Sequence, residues 1–352
     1  MAADSVARWM RRLAVAGLLL GFTVVVLGAY VRLTAAGLGC PDWPGCYGHL
    51  TPLGAEQATH AHAAIYPGRP LEPGKAWREM VHRYAAGTLA LIIVAIAALT
   101  VGARRSRVVS PQLAPLTIAL AVIVAFQALL GMLTVTWQLK PLIVTAHLLF
   151  GMTTLALLEW LMLSLRSTSW ADTAGGGAGF DPRRGGASSL AASRRLSLLA
   201  LVVLAAQIAL GGWTSSNYAA IVCPDFPRCQ GSWWPHADFR NAFVLWRGLD
   251  INYEGGVLDN PARVAIHLTH RLGALVTSAV LSLAAIFVLC RRGLAAARPR
   301  AWAVLAALAL QLTIGIAMVL RAFPLWLATA HTAGAAILLL ATLALLRSLS
   351  PR

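Results

Sequence analysis

Eight apolar runs, at residues 13–31, 77–101, 113–135, 142–165, 196–213, 264–290, 302–320 and 325–346, constrain this chain more than any other feature. At ~1.5 Å per residue each approaches or exceeds the ~30 Å hydrocarbon core of a bilayer. A backbone crossing lipid must pair its own N–H and C=O groups, and isolated runs of this length do so as helices. With 58% hydrophobic and 12% charged residues, the chain is expected to be an all-α integral membrane protein with eight transmembrane helices. A net charge of +16 would suit a nucleic-acid binder, but its placement argues against that partner. Arg8, Arg11 and Arg12 precede the first run, Arg104, Arg105 and Arg107 follow the second, and Arg291 and Arg292 follow the sixth. Basic residues thus gather at the termini and at the even-to-odd connections, which the positive-inside rule assigns to the cytoplasm. The expected partner is the lipid bilayer of the cell membrane. The first run is longer than the ~7–15 apolar residues of a signal peptide and lacks a small-residue cleavage site, so it is read as a retained helix.

The chain also repeats itself. Cys40-Pro-Asp-Trp-Pro-Gly-Cys46 returns 183 residues on as Cys223-Pro-Asp-Phe-Pro-Arg-Cys229. Thr145-Ala-His147 returns 184 on as Thr329-Ala-His331, and Gln127-x-x-x-Gly131 returns at the same offset as Gln311-x-x-x-Gly315. His82-Arg83 recurs 188 on as His270-Arg271. Each half holds an even number of spans, so both enter the membrane in the same direction. That makes a parallel repeat about an axis along the membrane normal. Two pseudo-symmetric four-helix bundles are expected, residues 1–166 and 194–352. The Gly-, Ser- and Ala-rich stretch 167–193 reads as a flexible cytoplasmic linker. The long connections 32–76 and 215–262 fall on the external side, with a short surface helix expected at 54–66.

Trp77-Arg-Glu-Met-Val-His-Arg-Tyr-Ala-Ala86 opens the second run with Glu79, His82 and Arg83 within little more than a turn. Ionisable groups in such a run are costly and usually face a bundle interior or a water-filled cavity. Glu79 and His82, three apart, share a helix face. His82, His147, His270 and His331 each lie five or six residues inside a run directed inward, roughly 8–9 Å below the external surface. A lone histidine there is more often a hydrogen-bonded core residue. Four at one depth, paired within each half and duplicated, point to two bis-histidine haem sites. A metal-ion site built from Glu79, His82 and His147 is the alternative. Arg83 and Arg271, next to two of the histidines, suit either pairing with a haem propionate or snorkelling to the interface.

Cys40 with Cys46, and Cys223 with Cys229, lie on the external side and read as two disulfides closing rigid loops at the bundle mouths. Their spacing is wrong for covalent haem attachment, which needs Cys-x-x-Cys-His. Cys290 reads as a free thiol. His49, His60, His62 and His236 are expected as solvated loop residues, with a proton-relay role for His60 and His62 as the alternative. Glu159 is expected near the cytoplasmic interface, snorkelling or hydrogen-bonded.

Together, Gly28-Ala-Tyr-Val-Arg-Leu-Thr34, Gly37-Leu-Gly-Cys-Pro-Asp-Trp-Pro-Gly-Cys46, Glu79-x-x-His82-Arg83, Thr145-Ala-His147, His270-Arg271 and Thr329-Ala-His331 resemble the haem A synthase family of cytochrome oxidase assembly, in the bacterial branch that carries cysteine pairs. The resemblance spans both halves in order. It implies a bound haem b, haem O as substrate, and oxidation of a haem O methyl group to the formyl group of haem A. It implies His82, His147, His270 and His331 as haem ligands and Glu79 as a catalytic carboxylate, and it makes haem O synthase the substrate donor. Three residues before the ligand the halves differ, Glu79 against His267. This asymmetry puts substrate oxidation in the first half and a retained haem b in the second. The competing readings are a b-type electron-transfer cytochrome without a catalytic carboxylate, and a haem transporter.

Overall fold

The computed structural model describes residues 2–57, 66, 70–104, 113–171 and 187–350. Its long helices are α1 (Ala2–Leu33), α2 (Pro73–Arg104), α3 (Leu113–Thr136), α4 (Pro141–Ala171), α5 (Ala187–Ser216), α6 (Asn260–Leu289), α7 (Arg298–Leu320) and α8 (Leu325–Ser348). All eight contain stretches long and apolar enough to cross a membrane, so this is an all-α, multi-pass membrane protein. Among the described residues the only extended pairing is two isolated bridges, one in each cysteine loop.

The helices outrun their apolar runs where the flanking sequence suits a helix end. Asp259 caps α6 by accepting the Ala262 N–H at 3.2 Å, and Pro261 follows within the first turn. His82 and His270 therefore lie about a turn further from their helix starts than His147 and His331 do. α4 extends to Ala171 and α5 begins at Ala187, so both ends of the stretch read as linker are helical. Alanine and serine there are compatible with helix extension from a rigid span. Residues 172–186 lie outside the described residues. Of the surface helix expected at 54–66, the described part is Pro52–Gln57; residues 58–65, with His60 and His62, lie outside the described residues.

The helices of each half touch in the same cyclic order. α1 meets α2, α2 meets α3, α3 meets α4, and α4 returns to α1; α5 to α8 do likewise. Across the halves, α1 packs on α8, α4 on α5, and α4 on α8. Packing in lipid relies on close approach rather than on burial from water. Gly17 and Gly21 of α1 allow this, since a Cβ on either would already stand 3.4 Å from Leu158 or Leu155.

The turns repeat along with the sequence. Gln138 and Leu139 between α3 and α4 have φ of 50° and 60°, and Ala322 and Phe323 between α7 and α8 have 57° and 58°. Ala35 and Tyr218, 183 apart, have 50° and 54°. The Arg32 Nη2 donates to the Ser215 carbonyl at 2.8 Å, again 183 apart.

The cysteine-loop end is also stitched from half to half. Lys140, only 2% exposed, donates through Nζ to the Gly248 carbonyl and sits 3.1 Å from the Trp246 ring centroid. The Tyr253 N–H reaches the Gln138 carbonyl at 3.0 Å. The long connection of the second half therefore straps across the α3–α4 turn of the first. Among the described residues no carboxylate pairs with this ammonium, and the carbonyl and the indole face replace its hydration.

Candidate functional site

The four histidines sit on α2, α4, α6 and α8, the alternate members of each cycle. His82 and His147 are within electrostatic reach of each other, as are His270 and His331. Each ring faces a glycine on the neighbouring helix. A Cβ on Gly28 would stand 3.0 Å from Cε1 of His82, and one on Gly131 would stand 3.5 Å from Cε1 of His147. The corresponding distances are 3.3 Å for Gly211 and His270, and 3.0 Å for Gly315 and His331. Three of these four distances are at or below the edge of ordinary contact, so a larger residue would press on the imidazole.

A second layer orients the rings. The Gln207 Nε2 donates to the His270 carbonyl at 2.9 Å and lies 3.1 Å from its Nδ1. The Gln311 Nε2 donates to the His331 carbonyl at 3.1 Å and lies 3.3 Å from its Nε2. Each glutamine lies against a glycine one turn beyond the histidine, Gly273 for Gln207 and Gly334 for Gln311. In the first half Gln127 packs on Gly151, where a Cβ would stand 3.1 Å from its Nε2. Buried ring nitrogens without a protein partner remain at Nδ1 of His82, His147 and His331. Three orphaned imidazole nitrogens, both of a pair in the first half and one in the second, beside glycines suit a flat group held between two histidines.

Sequence reasoning found Gln127-x-x-x-Gly131 and its repeat but missed two members of the set. Gln207-x-x-x-Gly211 on α5 has the same spacing, and on α1 Val24-x-x-x-Gly28 keeps only the glycine. Aligning all four odd-numbered helices, rather than the two halves, would have found them.

Glu79 is 5% exposed, and both its oxygens are engaged. Oε2 accepts the Cys40 N–H at 2.8 Å, and Oε1 pairs with Nη2 of Arg83 at 2.5 Å. Among the described residues no three His, Cys, Asp or Glu side chains group as a metal-ion site. Glu79, His82 and His147 thus do not form the three-ligand centre offered by the alternative reading.

The arginines face the cysteine loops. The Arg83 Nη1 donates to the carbonyls of Asp42 at 2.9 Å, Pro44 at 3.3 Å and Gly45 at 2.5 Å. Arg271 donates to those of Asp225 and Arg228 at 2.8 Å, Pro227 at 3.3 Å and Cys223 at 3.4 Å. Neither guanidinium snorkels into open solvent; each latches a loop to its helix. Both loops are closed by disulfides, Cys40–Cys46 at 2.05 Å and Cys223–Cys229 at 2.03 Å, and Cys290 is free and exposed. In each loop an aspartate binds two amides: Asp42 accepts from Tyr47 and Gly48, and Asp225 from Gln230 and Gly231. The Gly231 N–H, followed by that of Gln230, holds the Asp225 carboxyl below its ordinary pKa.

His267, in the place of Glu79, lies with Nδ1 2.9 Å from the Ala219 carbonyl. Glu159 departs from expectation: it is buried in α4 and its Oε2 has no hydrogen-bond partner among the described residues.

Residues 11–343 match the sequence profile of the COX15-CtaA family, described as cytochrome oxidase assembly protein. A protein of Shewanella oneidensis named heme A synthase is 41% identical over 335 residues, covering 94% of this chain and 93% of the relative. Proteins of the same name from a Methylobacterium species and from Beijerinckia indica are 29% and 28% identical. They cover 95% and 98% of this chain, and 89% and 93% of their own lengths.

Proposed function

The chain belongs to the COX15-CtaA family of cytochrome oxidase assembly proteins, and from that premise we propose that it is a haem A synthase. It oxidises a methyl group of haem O to a formyl group and works in the cell membrane with both termini in the cytoplasm and the cysteine loops outside. The observation that carries this reading is the duplicated set of paired imidazoles, each facing a glycine that leaves its ring clear.

The two halves take different parts. His270 and His331 would hold a resident haem b, which when bound supplies one-electron redox chemistry. Gln207 and Gln311 fix the planes of those two rings, and Gly211 and Gly315 keep space beside them. His82 and His147 would bind haem O, delivered by a haem O synthase. Converting a methyl to a formyl group adds one oxygen atom and withdraws four electrons. With water as the oxygen source, R–CH3 + H2O gives R–CHO, four protons and four electrons that pass to an electron acceptor, so a proton acceptor beside the carbon is useful. Glu79 is the candidate, one turn from His82 on the same face. Its carboxyl group, paired with Arg83, is placed to accept a proton or to stabilise positive charge at the reacting carbon.

The test is co-expression with a haem O synthase, followed by extraction and chromatography of the haems. Wild type should accumulate haem A. Glu79→Gln, which keeps size and one of the two acceptor oxygens but removes the charge, should retain the b-type spectrum and stop conversion. Normal haem A production by Glu79→Gln would remove the carboxylate from the mechanism. Unaltered haem b alone from wild type would favour an electron-transfer cytochrome.

A further inference from the structure

The two cysteine loops are built inside out for segments bathed in water. Their cysteines are fully buried, while their large apolar residues point away from the protein. Leu50 is 80% exposed, Trp233 and Trp234 are each 67% exposed, and Leu53, Trp43 and Phe226 are exposed too. The pattern is duplicated with different residues: Trp43 corresponds to Phe226, and Leu50 to Trp233, at the 183-residue offset. What recurs is apolar character at fixed places on the loop, not side-chain identity.

The polar groups of the loops are satisfied from within. In the first, Asp42 accepts two amides and Arg83 serves three carbonyls. Cys46 and His49 exchange both backbone bonds at 2.7 and 3.1 Å. In the second, Asp225, Arg271 and the Cys229–Ser232 exchange do the same work. Backbone that meets water needs no such provision, whereas backbone at the edge of hydrocarbon does.

The position of the first tip is fixed as well. The Tyr84 Oη donates to the Leu50 carbonyl at 2.5 Å, two residues beyond His82 along a spanning helix. Val81, Tyr84 and Leu91 are exposed residues of that helix. The tip is thus continuous with the lipid-facing flank of α2 rather than lying over the mouth of the bundle. In the second loop Arg228 lies 5.6 Å from the Trp233 ring centroid, a cation beside an exposed indole as found among lipid headgroups.

We propose that both cysteine loops are seated in the bilayer leaflet on their own side. Trp43, Leu50 and Leu53 of the first, and Phe226, Trp233 and Trp234 of the second, touch lipid at the boundary of headgroups and acyl chains. The partner is the lipid surface. A water-soluble protein docking on the aromatic tip is the rival outcome. One consequence is mechanical: the first loop also donates its Cys40 N–H to Glu79, so the membrane surface and the candidate carboxylate share one rigid element.

The experiment uses the intact wild-type protein in phosphatidylcholine vesicles containing a lipid with a diazirine near the glycerol end of one acyl chain. After illumination, adducts are mapped by mass spectrometry, and hydroxyl-radical oxidation is measured on parallel vesicles. Peptides carrying Leu50 and Leu53, and those carrying Trp233 and Trp234, should give adduct yields within about tenfold of those at Leu91 and Leu275, with the tryptophans protected from oxidation. Tips that give no adducts while Trp233 and Trp234 oxidise freely face water, and this would overturn the proposal. Adducts on one loop alone would overturn it for the other.

Discussion

Replacing Gly315 by alanine tests the histidine cradles at one of their two tightest points. The new Cβ would stand 3.0 Å from Cε1 of His331, against about 3.5–4.0 Å for carbon atoms at optimal separation. The ring must retreat by roughly 0.5–1 Å, or α7 and α8 must part by as much. Overpacking of this kind costs ~1–3 kcal/mol, and alanine's better helix propensity offsets about 1 kcal/mol of it. The net loss of stability is therefore small, ~0–2 kcal/mol, and the fold should survive. The haem site should not survive unchanged, because Gln311 holds His331 at its carbonyl as well as at its ring. A shifted ring loses either that hydrogen bond or its alignment with His270. Two alanine variants serve as controls. At Gly131 the Cβ would stand an ordinary 3.5 Å from His147, and at Gly87 nothing lies within 4 Å. The assay is haem content per protein and the low-spin b-type spectrum after purification, with thermal unfolding of each variant. Gly315→Ala should lower the haem ratio or change the spectrum, whereas Gly87→Ala should keep both and be neutral or slightly stabilised. A folded Gly315→Ala protein with the wild-type haem ratio and spectrum would refute the cradle argument. Equal haem loss in Gly87→Ala would show a general helix effect instead.

His270→Ala or His331→Ala should abolish the b-type spectrum outright; if both variants keep it, the second-half site is misassigned. Peptides digested without reduction should carry Cys40 joined to Cys46 and Cys223 joined to Cys229, each bridge adding about 2 kcal/mol on chain-entropy grounds; free thiols at these four positions would contradict this. Because its amide partners hold Asp225 below its ordinary pKa of 3.8, the stability it adds to the second loop is present above that value and is lost as pH falls below it. Phosphine reduction of Cys223–Cys229 should therefore accelerate as pH falls below about 3.8 relative to Asp225→Asn, which should be fast throughout; identical pH profiles would count against the aspartate latch.

Much of this was legible because membrane helices declare themselves by composition over twenty or more residues. All eight spans, both cysteine pairs and the four histidines could be read from the sequence and its internal offsets. What escaped were features set by contacts between distant segments. Nothing local marks Lys140 as the anchor of a strap, since its partners Gly248 and Trp246 lie in another half. The arginines were legible as functional neighbours of the histidines but not in their task, because a long side chain reaches in either direction along a helix. The four-way glycine pattern was half seen, since Val24 replaces glutamine on α1 and so broke the motif where it would have been completed. The lengths of α4 and α5 were underestimated for a simpler reason: alanine and serine permit coil and helix alike, and an adjoining span decides between them.

The second half also serves as an internal control for Glu79. If that carboxylate existed to anchor the helix end through Arg83, the other half should need an equivalent. Among the described residues it has no acid at the corresponding place: Arg271 serves four carbonyls of its loop, the acid near it is Asp225 of that loop, and His267 stands where Glu79 does. The second loop is nonetheless bridged, closed by its disulfide and bound by its aspartate in the same way. Latching a loop therefore requires the arginine but not an acid at the place of Glu79. A buried carboxylate costs several kcal/mol of desolvation, which Arg83 and the Cys40 N–H must offset. Retaining such a charge where a neutral group suffices structurally argues that the charge itself is used. In the first half it lies one turn from His82, beside the pair to which substrate binding is assigned. The second half keeps the same scaffold without the charge, as expected of a bundle that holds a haem without transforming it.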